Sequence, residues 1–319
     1  MMLANSVPSH PMEFDDLAAK HAVRWLVEAV VLDVRITNAP LYRLLDLDIR
    51  RGAIGGSVGL AWFVDYALTI NLLEGELHEA IARDVVPRLG SLPLRDRYLP
   101  DLDSVLDMSS RLCAGGVTAL CAIARPPDRY RGAADCVLLV QERSGHVLNA
   151  AHQLAVIPTG FHQPLADCRV DAQIGATLRR EMEEELFGRT DIDSTISHNV
   201  AAAPMHPSRL SEPMRWLARV PDALRMECTG FGLNLVSGNY GFASLIVIDD
   251  EEFWAQYGGY IEANWESAGL RLCSSLDREL LAELIADEYW SHDGLFALLL
   301  GLRRLQELGG KRVNLPVIE

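Results

Sequence analysis

The chain has 319 residues, of which 49% are hydrophobic and 23% are charged, so it can bury one large core or two ordinary ones. Its net charge of −15 disfavours a long polyanion as partner, because nucleic-acid binding relies on Lys and Arg to neutralise phosphates. A small anionic substrate is not excluded, since a bound divalent cation can reverse the local charge.

The N-terminal third is predicted to be mostly helical. Residues 1–12 contain two prolines and little apolar material, which indicates a disordered tail. Residues 13–112 are predicted to form a helical region whose parts are an amphipathic start at 14–31, an apolar run at 60–73, and helices at 76–86 and 101–113. The glycines between 52 and 59 lack the Lys-Ser/Thr ending of a phosphate loop, so we interpret them as a flexible turn between helices.

From Val117 onwards, strand patterns appear between helices. The predicted strands are 117–124, 136–142, 154–157, 216–220, 234–236 and 242–248. The predicted helices are 172–187, 251–264 and 277–307. This order predicts an α+β domain over residues 113–310, preceded by a helical N-terminal extension and followed by a tail at 311–319.

The helix predicted at 172–187 carries the acidic residues of interest. Asp171 could cap its start and Gly188 could end it. At 100° per residue, Glu181, Glu184 and Glu185 fall within roughly a 100° arc, while Glu183 points elsewhere. Clustered carboxylates suit Mg²⁺ or Mn²⁺, although an acidic, solvated helix face would have the same pattern.

The segment Arg180-Glu181-Met182-Glu183-Glu184-Glu185 resembles the R-E-U-x-E-E core of the Nudix box, where U is apolar. The resemblance implies a Nudix-like mixed β-sheet sandwiched by helices, and hydrolysis of a nucleoside diphosphate linked to another group. It also implies that Glu181, Glu184 and Glu185 hold the Mg²⁺ or Mn²⁺ ion. Glu184, Glu185 and Arg180 would then be the catalytic residues, with Arg180 orienting a glutamate.

The loops around this core depart from the family pattern. The full box expects a Glu at Ala172 and a Gly at Ala166, and its later Gly arrives one place late, at Gly188. If Gly160, after Pro158, is the true equivalent of the first Gly, the loop is six residues too long. Gly160, Phe161 and His162 would then border the substrate, although an ordinary surface or core histidine is the plainer alternative for His162.

A narrower resemblance, to an actinobacterial group of Nudix-like proteins, covers about residues 117–275. It is carried by the segments 156–164, 180–188 and 242–264. Some members of that group have a helix-turn-helix domain in front and regulate transcription. Residues 1–112 here hold 11 Lys and Arg against 16 Asp and Glu, a net charge of −5, and show no basic recognition helix, so nucleic-acid binding is not expected.

Other side chains have weaker claims to function. Histidines 198 and 206 could supply a base, and arginines 125, 129 and 131 could bind phosphate, but each type is more often structural or solvated. The aromatic residues 254, 257, 260 and 265 favour core packing over base stacking. The six cysteines form no CxxC pair and are expected to be reduced thiols. No secretory signal or apolar run of the ~18 residues that a membrane helix needs is present, so a cytoplasmic location is expected.

Three hypotheses follow from the sequence. The first is a metal-dependent hydrolase acting on a small phosphorylated substrate or nucleotide. The second is a catalytically inactive nucleotide or ligand sensor, or a regulatory protein, which the loss of acid at Ala172 and the displaced Gly188 favour. The third is a helical interaction protein that forms a homodimer through the apolar run at 60–73.

Overall fold

The computed structural model describes residues 1–4, 15–34, 36–147, 150–190, 192, 202–261 and 266–318. These residues fall into two compact units. Unit 1 contains residues 1–116, 161–174 and 232–241. Unit 2 contains residues 117–160, 175–231 and 242–319.

The first part of unit 1 contains strands as well as helices. Its elements are β1 (Met2–Leu3), α1 (Asp16–Val31), β2 (Pro40–Arg50), β3 (Ala53–Trp62), α2 (Phe63–Ala67), α3 (Leu72–Ala82), α4 (Pro93–Tyr98) and α5 (Leu102–Leu106). Strand β3 pairs antiparallel with β2 and parallel with β1, which makes a mixed three-stranded sheet. The predicted helices are therefore joined by a sheet that the sequence analysis missed.

The glycine-rich segment belongs to a hairpin rather than to a turn between helices. Arg50 pairs with Ala53, so the chain reverses over Arg51 and Gly52. Gly52 has a φ of +76°, a left-handed conformation that glycine adopts without strain. The remaining glycines up to Gly59 lie within β3. The prediction of a flexible turn between helices was therefore wrong. Four of the eight residues from 52 to 59 are glycines, and they obscured the strand pattern.

Two further predictions for unit 1 need correction. Met2 and Leu3, placed in a tail by their neighbouring prolines, pair with Ser57 and Val58; residues 5–12 lie outside the described part of the chain. The apolar run at 60–73 is divided between the end of β3, α2 and the start of α3. Several of its side chains are buried, namely Tyr66, Ala67, Ile70, Leu72 and Leu73.

The later elements are β4 (Gly115–Arg125), β5 (Asp135–Arg143), β6 (Leu154–Val156), β7 (Thr159–Phe161), α6 (Ile174–Glu181), α7 (Glu212–Arg219), β8 (Leu224–Leu233), β9 (Tyr240–Ile248), α8 (Glu251–Tyr257), β10 (Ser267–Ser274), α9 (Arg278–Ile285) and α10 (His292–Leu308). A π-helical turn (Met182–Leu186) follows α6 directly. The strands form a seven-stranded sheet in the order β10-β5-β4-β9-β8, with β6 beside β5 and β7 beside β4.

Helices cover both faces of this sheet around β5. Leu138 and Val140 face a core that includes Leu298 and Leu302 of α10. Because side chains alternate along a strand, Gln141 faces the other side, where it meets Glu185 of the π-helical turn. The predicted α+β class, with a sheet between helices, is confirmed.

Most strand predictions in this region are confirmed, and two are wrong. The segment at 216–220 lies at the end of helix α7, which begins where the Ser211 hydroxyl accepts the Met214 N–H. The segment at 234–236 is a turn in which the Asn234 side chain accepts backbone N–H groups, while the strand itself is β8. The long helix predicted at 277–307 is two helices, because Ser291 caps the start of α10.

The remaining predictions concern the end of the chain, the cysteines and the membrane. Val313 and Leu315, predicted to lie in a tail, are buried in the core beneath α10. All six cysteines are free thiols, and four of them are buried. Within the described ranges, no helix has both the length and the apolar character needed to cross a membrane.

Candidate functional site

The acidic segment is built on a helix that changes type midway. Helix α6 ends at Glu181, and the next five residues form the π-helical turn, in which the Phe187 N–H donates to the carbonyl of Met182 five residues earlier. Asp171 does not cap α6 as predicted; its carboxylate accepts the backbone N–H groups of Leu165, Ala166 and Asp167. The wider π turn carries Glu183, Glu184 and Glu185, so the positions expected from a uniform α-helix are altered.

Glu183 fastens the end of the π-helical turn to the start of α7. Its carboxylate is fully buried, lies 3.4 Å from the Arg189 guanidinium, and accepts the Ser211 N–H at 3.0 Å. Ser211 is also the residue that caps α7. The sequence placed Glu183 apart from the other acids but did not reveal this joining role, because both of its partners lie farther along the chain.

Glu181 occupies the space beside the turn that precedes the helix. Its carboxylate lies 2.5 Å from the guanidinium of Arg180, and both side chains are buried. A Cβ added to Gly160 would lie 2.2 Å from the Glu181 carboxyl carbon. Position 160 therefore has to be glycine for Glu181 to keep this place. Arg180 also lies 4.0 Å from Glu184, the most exposed of the four glutamates.

Glu185 is buried against the sheet. One carboxyl oxygen accepts the Thr159 N–H at 2.5 Å, and the other lies 3.4 Å from the Gln141 amide nitrogen. Burial, together with the nearby carboxylates of Glu266 and Glu181, raises the pKa of Glu185 well above its ordinary value of 4.5. The side chain therefore joins β5 and β7, in surroundings that oppose its ionisation.

Glu266 is the acidic neighbour that the sequence analysis missed. It directly precedes β10, and pairing of Ser267 with Arg143 brings it to the end of β5. There its carboxylate lies 3.6 Å from the Arg143 guanidinium. No spacing rule connects residue 266 with the helix more than 80 positions earlier, so only the strand pairing could reveal this neighbour.

These carboxylates do not fit a metal ion as they are arranged. Within the described ranges, no three Asp, Glu, His or Cys side chains are grouped closely enough to hold one. Of the three expected ligands, Glu181 is paired with Arg180, and Glu185 is engaged by Thr159. A hard cation needs several oxygen ligands aimed at one point, whereas oxygens of Glu181 and Glu185 are aimed at protein donors.

The residues expected to border the substrate are divided between the two units. Gly160 is in unit 2, while Phe161 and His162 are in unit 1. His162 is fully buried; its Nε2 donates to the Ala172 carbonyl at 3.1 Å, and its Nδ1 lies 3.0 Å from the Tyr240 hydroxyl. His162 is therefore a hydrogen-bonded core histidine, the plainer of the two roles considered for it.

The weaker candidates are mainly structural. Arg125 forms a buried ion pair with Asp135, and the Arg125 guanidinium lies over the Trp254 ring. Arg131 also contacts Asp135. His206 is exposed and hydrogen-bonds to Ser208. His198 and Trp265 lie outside the described residues.

The comparisons with known proteins assign no role to the residues of this site. No protein-family model matches the chain, and no curated protein matches it. Among solved structures, the chain is similar to a chain in the crystal structure of the complex between the C-terminal domain of mouse MUTYH and human PCNA. The identity is 12%, the match covers 63% of this chain and 94% of that chain, and the TM-score is 0.29.

Proposed function

We propose that unit 2 is a non-hydrolytic, Nudix-like binding module that responds to a nucleotide or another small phosphorylated ligand. This proposal rests on the contacts of the glutamates in the segment 180–185, whose carboxylates bind to groups of the protein itself. Glu181 is paired with Arg180, Glu183 with Arg189, and Glu185 with the Thr159 N–H. The contact of Glu185 holds the helix against the sheet, and that of Glu183 holds it to the start of α7. Glu181 and Glu185, which a hydrolase would use for metal binding, therefore have structural partners.

Recruiting these glutamates to a metal would be costly. Moving Glu185 would take the acceptor from the half-buried Thr159 N–H, at a cost of about 0.5–1.5 kcal/mol for the lost hydrogen bond. Metal binding would also require the ionised form of Glu185, which the direction of its pKa shift disfavours. Moving Glu181 would separate a buried ion pair. The arrangement is therefore better suited to stability than to chelation.

The proposed contact for the ligand is Arg143. Its side chain is partly exposed and lies 3.6 Å from Glu266, which is more exposed. A guanidinium binds phosphate through two parallel hydrogen bonds, so a phosphorylated ligand can compete with Glu266 for Arg143. Exchange of that partner would change the position of Glu266 at the start of β10, and this gives the module a way to report binding.

Calorimetry with a panel of nucleotides tests the proposal. We expect binding that is unchanged by EDTA and is accompanied by no phosphate release. Arg143→Gln should weaken binding at least tenfold, whereas the matched change Arg271→Gln, at an exposed arginine on β10, should not. Equal affinity of the two variants would remove Arg143 from the site, and turnover of any nucleotide would reject a non-hydrolytic module.

A second candidate function is favoured by one observation. The carboxylates of Glu181 and Glu266 are near enough to Glu185 to raise its pKa. A bound cation reduces the repulsion between such carboxylates, as a bound proton does. The candidate is a Mg²⁺- or Mn²⁺-dependent hydrolase of a nucleoside diphosphate linked to another group, with Glu181, Glu184 and Glu185 as ligands. It requires Glu181 and Glu185 to leave their present partners.

A phosphate-release assay with Mg²⁺ or Mn²⁺ separates the two candidates. For the hydrolase, release should require the metal and should be abolished by Glu184→Gln and by Glu185→Gln. Activity that survives both changes would reject this ligand set. The absence of any metal-dependent release across a panel that includes a bound nucleotide would leave the binding module as the supported function.

A further inference from the structure

Two arginines in unit 1 are buried without an acidic partner. Arg43 is 3% exposed and Arg111 is 7% exposed, and within the described residues neither forms an ion pair. The other two buried arginines of the described ranges, Arg125 and Arg180, are each paired with a carboxylate. Acidic residues outnumber basic ones in this chain by 44 to 29, so a shortage of carboxylates does not explain the difference. A guanidinium group keeps its charge when buried, and a buried charge is costly unless a counter-charge accompanies it.

Each of these two side chains also has a nitrogen that meets no acceptor. Nη2 of Arg43 donates to the carbonyl of Ser109 at 2.9 Å, and Nη2 of Arg111 donates to that of Val105 at 2.7 Å. These bonds fix both guanidinium groups. Nε of Arg43 and Nη1 of Arg111 are buried and have no hydrogen-bond partner among the described residues. Because protein interiors satisfy almost all buried donors, two such N–H groups on unpaired cations indicate a place for an acceptor of negative charge.

Both guanidinium groups lie near the Cys113 thiol. The Cys113 carbonyl accepts the N–H of Leu44, which follows Arg43 in β2, at 2.8 Å. The Cys113 thiol lies 3.7 Å from the Gly238 carbonyl oxygen, and a Cβ added to Gly238 would lie 2.9 Å from Nη1 of Arg111. Burial raises the pKa of Cys113 to about 11, although the charges of Arg111 and Arg43 act in the opposite direction. The thiol is therefore neutral at pH 7 and is not the counter-charge.

A third arginine adds positive charge at a more accessible position. Arg95 is half-buried, and its guanidinium donates to the carbonyl of Val236. Burial lowers the pKa of Arg95, and the charge of Arg111 lowers it further, which places the two cations near each other. The carboxylates of Asp96 and Asp107 act on these two groups from a distance, and in the described structure neither forms an ion pair with them. Positive charge therefore gathers around Arg111.

We propose that Arg43 and Arg111 bind one small inorganic anion, such as chloride or phosphate, beside Cys113. The Nε–H of Arg43 and the Nη1–H groups of Arg111 donate to the anion, and Arg95 attracts it from farther away. The bound anion supplies the counter-charge and ties β2 to the segment that contains Ser109. The site lies wholly within unit 1 and is independent of the function proposed for unit 2.

Urea denaturation of the full chain at different anion concentrations tests the site. The ionic strength is held constant with gluconate, a bulky anion, as the balancing salt. Because a ligand that binds only the folded state stabilises it, the urea midpoint should rise with the concentration of chloride or phosphate. Phosphate stabilises many proteins without a specific site, so variants are compared. Arg111→Met should lose most of the rise, whereas Arg51→Met, at an exposed arginine between β2 and β3, should keep it.

Arg43→Met distinguishes an anion site from a role in packing. In gluconate alone, the variant should be at least as stable as the unaltered chain, because it removes a buried cation that has no counter-charge. In the anion that binds, the variant should be the less stable of the two. A variant that is destabilised equally in all three salts would show that Arg43 serves only packing, and would overturn the proposal.

Titration calorimetry measures binding directly, without relying on the stability of any variant at positions 43 or 111. It is carried out on Arg143→Gln, so that the contact proposed for unit 2 does not contribute. We expect one anion per chain, and an affinity about tenfold or more lower when Arg111→Met is added, because a charge-assisted hydrogen bond is lost. Chloride binding without phosphate binding would support a site with room for a single atom. If neither anion shows saturable binding, water is sufficient for the two N–H groups and the proposal is wrong.

Discussion

Glu183 and Glu185 lie two positions apart in one π-helical turn, and both are buried, yet they meet opposite electrostatic surroundings. Glu183 has the cation of Arg189 beside it and also accepts the Ser211 N–H. Glu185 accepts the Thr159 N–H but has the like charges of Glu181 and Glu266 nearby. Burial raises the pKa of Glu185, and the nearby charges of Glu266 and Glu181 raise it further, whereas Glu183 has a cation beside it.

The largest expected effect is at Glu183. Glu183→Ala removes the buried carboxylate beside Arg189 and the acceptor of the Ser211 N–H, so the free energy of unfolding should fall by about 3–5 kcal/mol. Urea denaturation followed by tryptophan fluorescence measures this change. Glu183→Gln, which keeps an acceptor for Ser211, should lose less. No loss in Glu183→Gln would mean that the ion pair with Arg189 contributes nothing, and the comparison with Glu185 would fail.

The next effect is at Gly160. In Gly160→Ala, the new Cβ would meet the Glu181 carboxyl group, which has to move away from Arg180, so the free energy of unfolding should fall by about 1–3 kcal/mol. The loss should be much smaller in a Glu181→Ala background, because the obstructing group is gone. Gly269→Ala, where the added Cβ meets nothing within 4 Å, is the control. A loss independent of Glu181 would refute the contact.

Replacing Glu185 by Gln should have the opposite effect on the free energy of unfolding from replacing Glu183. Since its pKa is raised in the folded state, the folded chain binds more protons than the unfolded chain above about pH 4.5. Stability should therefore fall as pH rises from that value, by at most about 1.4 kcal/mol per pH unit from this group. Glu185→Gln removes the dependence and keeps an acceptor for Thr159, so it should be neutral or stabilising by roughly 1 kcal/mol at pH 7.

Denaturation of the unaltered chain and of Glu185→Gln between pH 5 and pH 8 measures this difference. The advantage of the variant should grow with pH. A variant that is less stable throughout, by an amount that does not change with pH, would show that Glu185 is ionised in the folded chain and would contradict its raised pKa.

The smallest expected change in the free energy of unfolding is at an exposed ion pair, and it serves as the reference for the larger changes. Arg215 and Glu212 form an ion pair on α7 that is largely exposed to solvent. Water and salt screen such a pair, so Arg215→Met should leave the free energy of unfolding unchanged within experimental error. A measurable loss there would indicate that the large effect expected at Glu183 depends on α7 as a whole rather than on burial of the ion pair.

The sequence predicted local features well where one pattern was uncontested. The apolar strands at 117–124 and 136–142 and the helical segment containing Leu178 are confirmed, because alternation and helical spacing are properties of short stretches. It failed where local signals competed. The glycines up to Gly59 concealed β3, and the apolar residues at 216–220 resembled a strand although the Ser211 cap starts a helix there.

For the candidate site, helical spacing is enough to show which acids share one short helix and that Glu183 stands apart from the rest. The role of each acid depends on the partners that folding brings to it. The partners of Glu185 come from β5 and β7, the charge that opposes its ionisation comes from Glu266 before β10, and the partner of Glu183 follows the π-helical turn. A carboxylate's protonation depends on groups within a few ångströms in space, and strand pairing brings those groups from positions that no sequence spacing connects.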